Sequence, residues 1–435
     1  MKKNFFISLL LILVLSLSVL ATNVILFIGD GMGTHQISVA NYISEKLYNE
    51  QLCFLSFSQQ SFVNTANASG SITDSAAAAT ALATGVRTNN SVIGLDANSR
   101  VQKNLSEKAK EKGKAVGIVT DDYVTDATPA GFVAHTSSRS NTKEISLAYL
   151  DLQPDVFMGM GVDAFTASTR RKNGWDDRDL LKELTDTGYS IAYNLSDLEK
   201  TSSHKVAGFF SSLDDVFAKE ATTNIQPTLA DMTKQALKIL SHNEEGFFLM
   251  VEASYVDRGG HYNDVVGVVH NVLTLNNAVK EAIKFLETNP DTLIVVTADH
   301  ETGGMSADPA TLPEMLGKFE DVTQLPLDID NTIGSSPSKE WVKEVFRRSG
   351  IKNVSEEDLQ AISILSPGAS RRTKIGQAIT KYTGGAKFTT TGHSAQNVAL
   401  YAIGQQSELF PSKLRNDELG QILARIVTDD GVLNK

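Results

Sequence analysis

The chain has 435 residues, 41% of them hydrophobic and 21% charged, which is globular composition with enough apolar material for a large core. Its 40 basic and 51 acidic residues give a formal net charge of -11 with no long basic run, so nucleic acid is not an expected partner. Cys53 is the single cysteine, which excludes an intramolecular disulfide, a thiolate metal site and a paired redox motif.

Met1-Lys2-Lys3-Asn4 precedes an apolar run from Phe5 to Leu20 that ends in Val19-Leu20-Ala21. This reads as a secretory signal peptide over residues 1–21. The alternative is an uncleaved anchor, for which the run is short against a span of about 20 residues. No second run of spanning length follows. The remaining chain, 22–435, is expected to be exported to the periplasm or the medium, with no stable membrane span after processing. Length alone allows two or three domains; one large α/β domain with insertions fits equally well.

Val24 to Ile28 reads as a buried strand, and the turn Gly29-Asp30-Gly31-Met32-Gly33 puts Asp30 at its carboxyl end. In open parallel sheets that edge is where ligands bind. Thr73-Asp74-Ser75 then leads into an alanine-rich run ending at Gly85. Asp74 or Ser75 is a natural N-cap, so a helix is expected between them and Gly85, with the Ser75 hydroxyl at its start. Free N–H groups and a positive dipole end suit a phosphate there, which makes Ser75 a candidate nucleophile. Taken by itself the stretch reads more simply as an ordinary capped, tightly packed helix.

A second strand is expected over Gly113 to Thr120, followed by a loop with Asp126, Thr128 and Arg139. Short apolar runs then alternate with helical pieces from Asp155 to Phe210, and Pro227 to Leu240 forms an amphipathic helix. The strand Phe247 to Val251 runs directly into Glu252, with Asp257 and His261 just beyond. After the helix Val265 to Leu286, the strand Thr292 to Thr297 ends in Asp299-His300. Residues from about 307 to 391 read as a mostly helical insertion that could overhang the active edge. The chain returns through Thr391-Gly392-His393 into the strand Val398 to Ile403 and a polar, helical tail. The expected fold is α/β: a mostly parallel central sheet with helices on both faces and a largely helical insertion near the active edge.

Repeated delivery of acid or His to one sheet edge (Asp30, Glu252, Asp299, His300) is most economically explained by a polynuclear metal site. Without thiolates, Asp and His ligands suit zinc, and an oxygen-only pocket beside them suits magnesium.

The motifs Phe27-Ile28-Gly29-Asp30-Gly31-Met32-Gly33, Thr73-Asp74-Ser75-Ala76-Ala77, Asp126-Ala127-Thr128-Pro129, Ser138-Arg139, Glu252 with Asp257 and His261, Thr297-Ala298-Asp299-His300-Glu301-Thr302-Gly303-Gly304, and His393 follow one another in family order. Together they resemble the alkaline phosphatases of the metal-dependent phosphomonoesterase superfamily over most of the mature chain. The resemblance implies Asp257, His261 and His393 on a first zinc, and Asp299, His300 and Asp30 on a second. It implies Asp30, Thr128 and Glu252 on a magnesium, with Asp126 acting on it through water; cobalt or another divalent ion could substitute. It also implies small phosphorylated substrates and a homodimer.

On the same resemblance, Ser75 would take the phosphoryl group as a phosphoserine that water then hydrolyses, while Arg139 grips two non-bridging oxygens in a fork. Arg258 stands where relatives carry Lys, Trp or His, and is expected either to bind phosphate, directly or through water, or to face solvent or pair with a nearby acid. His35, His135, His204, His242 and His270 match no motif and read as structural or surface residues. The rival activities are a phosphodiesterase or phosphonate hydrolase of the same superfamily. From another class, the rival is an inactive exported phosphate- or metal-binding protein.

Overall fold

The computed structural model describes residues 23–210 and 225–429; the expected signal segment lies outside them. Among the described residues ten strands form the main sheet: β1 (Asn23–Gly29), β2 (Gln59–Asn64), β3 (Ala115–Tyr123), β4 (Val156–Met160), β5 (Ser190–Ala192), β6 (Val206–Phe209), β7 (Phe247–Ala253), β8 (Thr292–Thr297), β9 (Val398–Gly404) and β10 (Lys413–Arg415). Their spatial order is β10-β2-β9-β8-β1-β7-β3-β4-β6-β5. Only β9 runs against its neighbours in this sheet, pairing antiparallel with both β2 and β8, so the sheet is mostly parallel.

Every residue of β1, β7 and β8 is buried, as continuous apolar strands covered by helices on both faces must be. β1 lies between β7 and β8, with Ile28 opposite Glu252 on one side and Thr297 on the other. On the far side of β7, Thr120 of β3 is also opposite Glu252. The carboxyl ends of four adjacent strands therefore open onto one edge, and the motif residues follow them. Among the described residues no helix is long and apolar enough to cross a membrane.

Beyond β8 the chain leaves the sheet through Ser306–Ala307, which pairs antiparallel with Ala386–Lys387. Between these lie the helices Leu312–Leu316, Pro326–Ile333, Lys339–Arg348, Glu356–Ser363 and Ala369–Thr383. Arg371 is fully buried at the joint of two of them. Its Nε donates to Asp330 Oδ1, its Nη2 to Asp330 O (3.0 Å), and its Nη1 to Gly334 O (2.7 Å) and Leu365 O (3.2 Å). Removing one member of such a pair leaves a buried charge exposed to little solvent, at about 3–5 kcal/mol. Arg372 Nε also reaches Asp330 at 2.9 Å, so Arg371→Ala should lie at the low end, about 3 kcal/mol. Hydrogen exchange within Ala369–Thr383 measures this directly; unchanged protection would show that the pair does not hold the helix.

Candidate active site

The helix that carries Ser75 begins where the sequence places it. Asp74 has extended backbone (φ -106°, ψ 171°) and its Oδ1 accepts from Ala77 N at 3.0 Å, so Asp74 is the cap and Ser75 the first helical residue. The helix ends at Gly85, whose φ of 77° is the left-handed conformation glycine adopts at little cost. All ten helical residues are buried, and small side chains let them pack closely. Part of the cover is the carboxyl-terminal helix Asn416–Thr428, whose Gln421 Nε2 donates to Gly85 O at 2.9 Å. That tail is amphipathic, with Leu419, Leu423, Ile426 and Val427 turned inward.

Two groups of potential metal ligands form at the sheet edge. Asp257, His261 and His393 make one, and Asp30, Asp299 and His300 the other; within each group the ligand atoms lie within 4.8 Å of one another. The three imidazoles are presented alike. His261 Nδ1 is hydrogen-bonded with Thr391 O at 2.6 Å and His393 Nδ1 with Thr73 O at 2.9 Å, while His300 Nδ1 is 3.3 Å from Thr302 Oγ1. With Nδ1 engaged, each Nε2 faces the carboxylates: His261 and His393 lie 3.2 and 3.5 Å from Asp257, and His300 lies 3.2 Å from Asp299 and 3.6 Å from Asp30. This is how protein scaffolds orient metal-binding imidazoles. The rings of His300 and His393 stack at 3.6 Å, so the two groups adjoin. Ser75 Oγ meets His300 Nε2 at 3.2 Å, which puts the hydroxyl at the second group.

The electrostatics call for cations. Burial raises the Asp30 carboxyl well above its usual range, and Asp299, Asp257 and Glu252 raise it further. Burial does the same to Glu252, helped by Asp126, and pushes Asp299 up to about 7. Asp257 goes the other way: burial is outweighed by the hydrogen bond and charge of His261, which hold it well below the usual range. His261 is correspondingly raised to about 9, against the effect of its own burial. His300 is lowered well below its usual value by burial and by His393.

Among the described residues, Asp30 Oδ1, Asp299 Oδ2, Thr128 Oγ1 and Glu252 Oε1 are buried oxygens that accept and donate no hydrogen bond. Buried oxygens of this kind are costly unless something else satisfies them. A donor set of imidazole nitrogens and carboxylate oxygens fits divalent zinc, and carboxylate plus hydroxyl oxygens fit magnesium.

Glu252 sits in β7 with Thr120 Oγ1 donating to its Oε2 at 2.5 Å, and Thr128 is buried in the short helix Ala127–Gly131. Arg139 Nη2 donates to Asp126 Oδ2 at 3.2 Å and its Nη1 lies 3.6 Å from Asp74 Oδ2. The guanidinium is thus held beside the residue that precedes Ser75. Arg258 Nη2 donates to Asp122 Oδ2 at 2.6 Å, and its guanidinium lies 4.6 Å above the Tyr255 ring.

Four of the five unmatched histidines have partners outside the two ligand groups. His135 is held by Glu107 and Gly94 O, His270 stacks on Phe319, and His204 and His242 pack edge to face. Two contributors had no signal in the sequence beyond local role. Asp74 read only as a cap, yet its Oδ2 also accepts from Ser91 N at 2.9 Å and faces Arg139. Thr302 lies in a quoted motif, but its hydroxyl bridges Asp257 and His300, contacts that only the fold creates.

Comparison with known proteins gives a consistent outcome. The sequence pattern of the family described as Alkaline phosphatase matches residues 21–428. Alkaline phosphatase 3 of Bacillus subtilis is 33% identical over 429 residues, covering 92% of this chain and 87% of the relative. The crystal structure of Thermus thermophilus alkaline phosphatase superposes with a TM-score of 0.85 over 95% of this chain and 93% of that one, at 23% identity, and so bears on the fold. A mutant of the alkaline phosphatase from TAB5, an Antarctic bacterium, described as having Mg bound in its M3 site, superposes with a TM-score of 0.66 at 27% identity, over 94% of this chain and 99% of that one.

Proposed function

Because this chain belongs to the alkaline phosphatase family and is a phosphatase acting on phosphate monoesters, we propose that it works through a Ser75 phosphoenzyme at a centre of two zinc ions and one magnesium ion. The observation that carries this reading is Ser75 Oγ at 3.2 Å from His300 Nε2, beside two adjoining groups of metal-capable side chains. Asp257, His261 and His393 would hold one zinc, and Asp30, Asp299 and His300 the other. Asp30, Thr128 and Glu252 would hold the magnesium, with Asp126 beside it; the magnesium in the TAB5 mutant supports a third site of this kind. When bound, these cations supply Lewis acidity, which lowers the pKa of a bound hydroxyl and stabilises a leaving alkoxide.

The remaining chemistry belongs to the chain. Ser75 Oγ, its proton lost, attacks phosphorus and the P–O bond to the alcohol breaks, with the alkoxide taking up a proton. Water then attacks the phosphoserine from the opposite side, restoring the hydroxyl and releasing phosphate. Arg139, held in place by Asp126 and Asp74, presents two N–H donors to non-bridging oxygens and fixes the in-line geometry. Reading residues 1–21 as a signal segment, the chain would be exported to the periplasm or the medium.

Arg139 separates monoester from diester chemistry, because a monoester offers three non-bridging oxygens and a diester two, so that with one turned to the cations only one would be left for the fork. Arg139→Ala should lower kcat/KM for an aryl phosphate about a hundredfold, the loss of two charge-assisted hydrogen bonds, and affect a bis-aryl phosphate less. Assaying both esters with both proteins tests this. A wild-type preference for the diester, or an equal loss on both substrates, would favour the phosphodiesterase reading instead.

A further inference from the structure

Glu301 follows the Asp299-His300 pair and is fully buried, yet it belongs to neither ligand group. Its carboxylate is surrounded by donors from three parts of the chain. Oε1 accepts from Gln36 Nε2 at 2.7 Å and Met305 N at 2.9 Å; Oε2 accepts from Gly304 N at 3.2 Å and from the Ser394 hydroxyl. Gln36 Nε2 also reaches Thr302 O at 2.9 Å. The approach depends on Gly33, where a Cβ would stand 2.3 Å from Glu301 Cγ. Ser394 is tied twice, because Glu301–Thr302 pairs antiparallel with His393–Ser394, residue 301 opposite 394 and 302 opposite 393.

Each of these three attachments leads to ligands. Gln36 lies in the helix Thr34–Tyr48 that follows the Asp30 turn, Gly304 and Met305 close the turn after His300, and Ser394 adjoins His393. The carboxylate thus joins the second group to the one outlying histidine of the first. We propose, on the reading that both groups hold zinc, that Glu301 is a positioning residue that fixes His393 against Asp30 and His300 and so sets the spacing of the two metal sites. A carboxylate is required because all four neighbours donate. Gln has the same size, but in either orientation its amide aims N–H bonds at donors, and backbone N–H groups cannot turn away. Partners of this kind behind metal ligands change metal affinity or activity by about 10–100-fold when lost.

The test compares zinc-loaded wild type, Glu301→Gln and Ser394→Ala. Zinc release to a chromogenic chelator, kcat and KM for an aryl phosphate, and the melting temperature are measured for each. Glu301→Gln should release zinc about 10–100-fold faster and lose kcat by a similar factor, with KM moving less. Ser394→Ala removes one donor of four and should shift release in the same direction by a smaller factor; it carries the test if Glu301→Gln does not fold. A lower melting temperature with wild-type zinc release and kcat would show a purely structural carboxylate and overturn the assignment. Wild-type protein that takes up no zinc would overturn the two-zinc reading as well, which separates the two failures.

Discussion

Ser75→Ala should fold, keep its metal-binding residues and lose turnover of an aryl phosphate by about 10⁴-fold or more, the scale on which enzymes lose rate when a covalent nucleophile is removed. The variant is conservative in structure. Ser75 is the first residue of a helix whose next four residues are alanines, it is 3% exposed, and Asp74, not Ser75, caps the helix. The change removes one oxygen beside His300 Nε2 and leaves the Asp74 bonds to Ala77 and Ser91 in place. Zinc uptake equal to that of wild type, measured alongside, would establish that the loss is chemical. Rapid quench with a radiolabelled monoester adds a second readout: wild type should retain label on protein and the variant none. Retained turnover near the wild-type rate would place the nucleophile elsewhere and remove the phosphoserine from the mechanism.

The sequence was informative where physical demands were local. β1, β7 and β8 are continuous apolar runs because both sheet faces are covered, and such runs are visible without a structure. β2 carries no such run, since only Ser61 and Val63 along it are buried and Phe62 is half exposed. The helix Tyr255–Tyr262 was hidden for a different reason. It contains Gly259 and Gly260, which oppose helix formation, but Gly260 is required because a Cβ there would lie 2.8 Å from Thr302 O. That helix is what spaces Asp257 and His261 one turn apart. The tail looks polar in sequence because its inward residues are scattered at helical spacing, and only their packing gives them meaning. Ligand identities came from motifs in order, through resemblance. What no motif supplies is the work of Asp74, Thr302 and Glu301, whose partners lie far along the chain and meet only in the fold.

Metal removal should abolish activity and also reverse the pH dependence of stability. In the metal-free protein Asp30 and Glu252 are raised well above their usual values, chiefly by burial, and Asp299 is raised to about 7. A raised carboxyl keeps its proton in the folded state after the unfolded chain has released it. Its contribution is therefore fully present below the unfolded value and is lost as pH rises, for Asp299 between 3.8 and about 7. His261, raised to about 9, is fully paired with Asp257 below 6.5 and loses that contribution as pH rises toward 9, which adds to the trend; His300, lowered by burial, stays neutral in the fold and works against the trend below 6.5. With three raised carboxyls and His261 against one lowered imidazole at the site, the chelated protein should be less stable at pH 7.5 than at pH 5 by on the order of a few kcal/mol, and melt at a correspondingly lower temperature. Zinc binds the deprotonated carboxylates and neutral imidazoles, so its affinity grows over the same range. At a thousand times its dissociation constant it would add about 4 kcal/mol per site. Melting curves at both pH values, with chelator and with excess zinc, should cross: zinc raises the melting temperature more at pH 7.5 than at pH 5. Chelated protein that hydrolyses monoesters, or that gains stability between pH 5 and 7.5 without added metal, would mean that the buried carboxylates are satisfied by the protein itself and that the site was not built around cations.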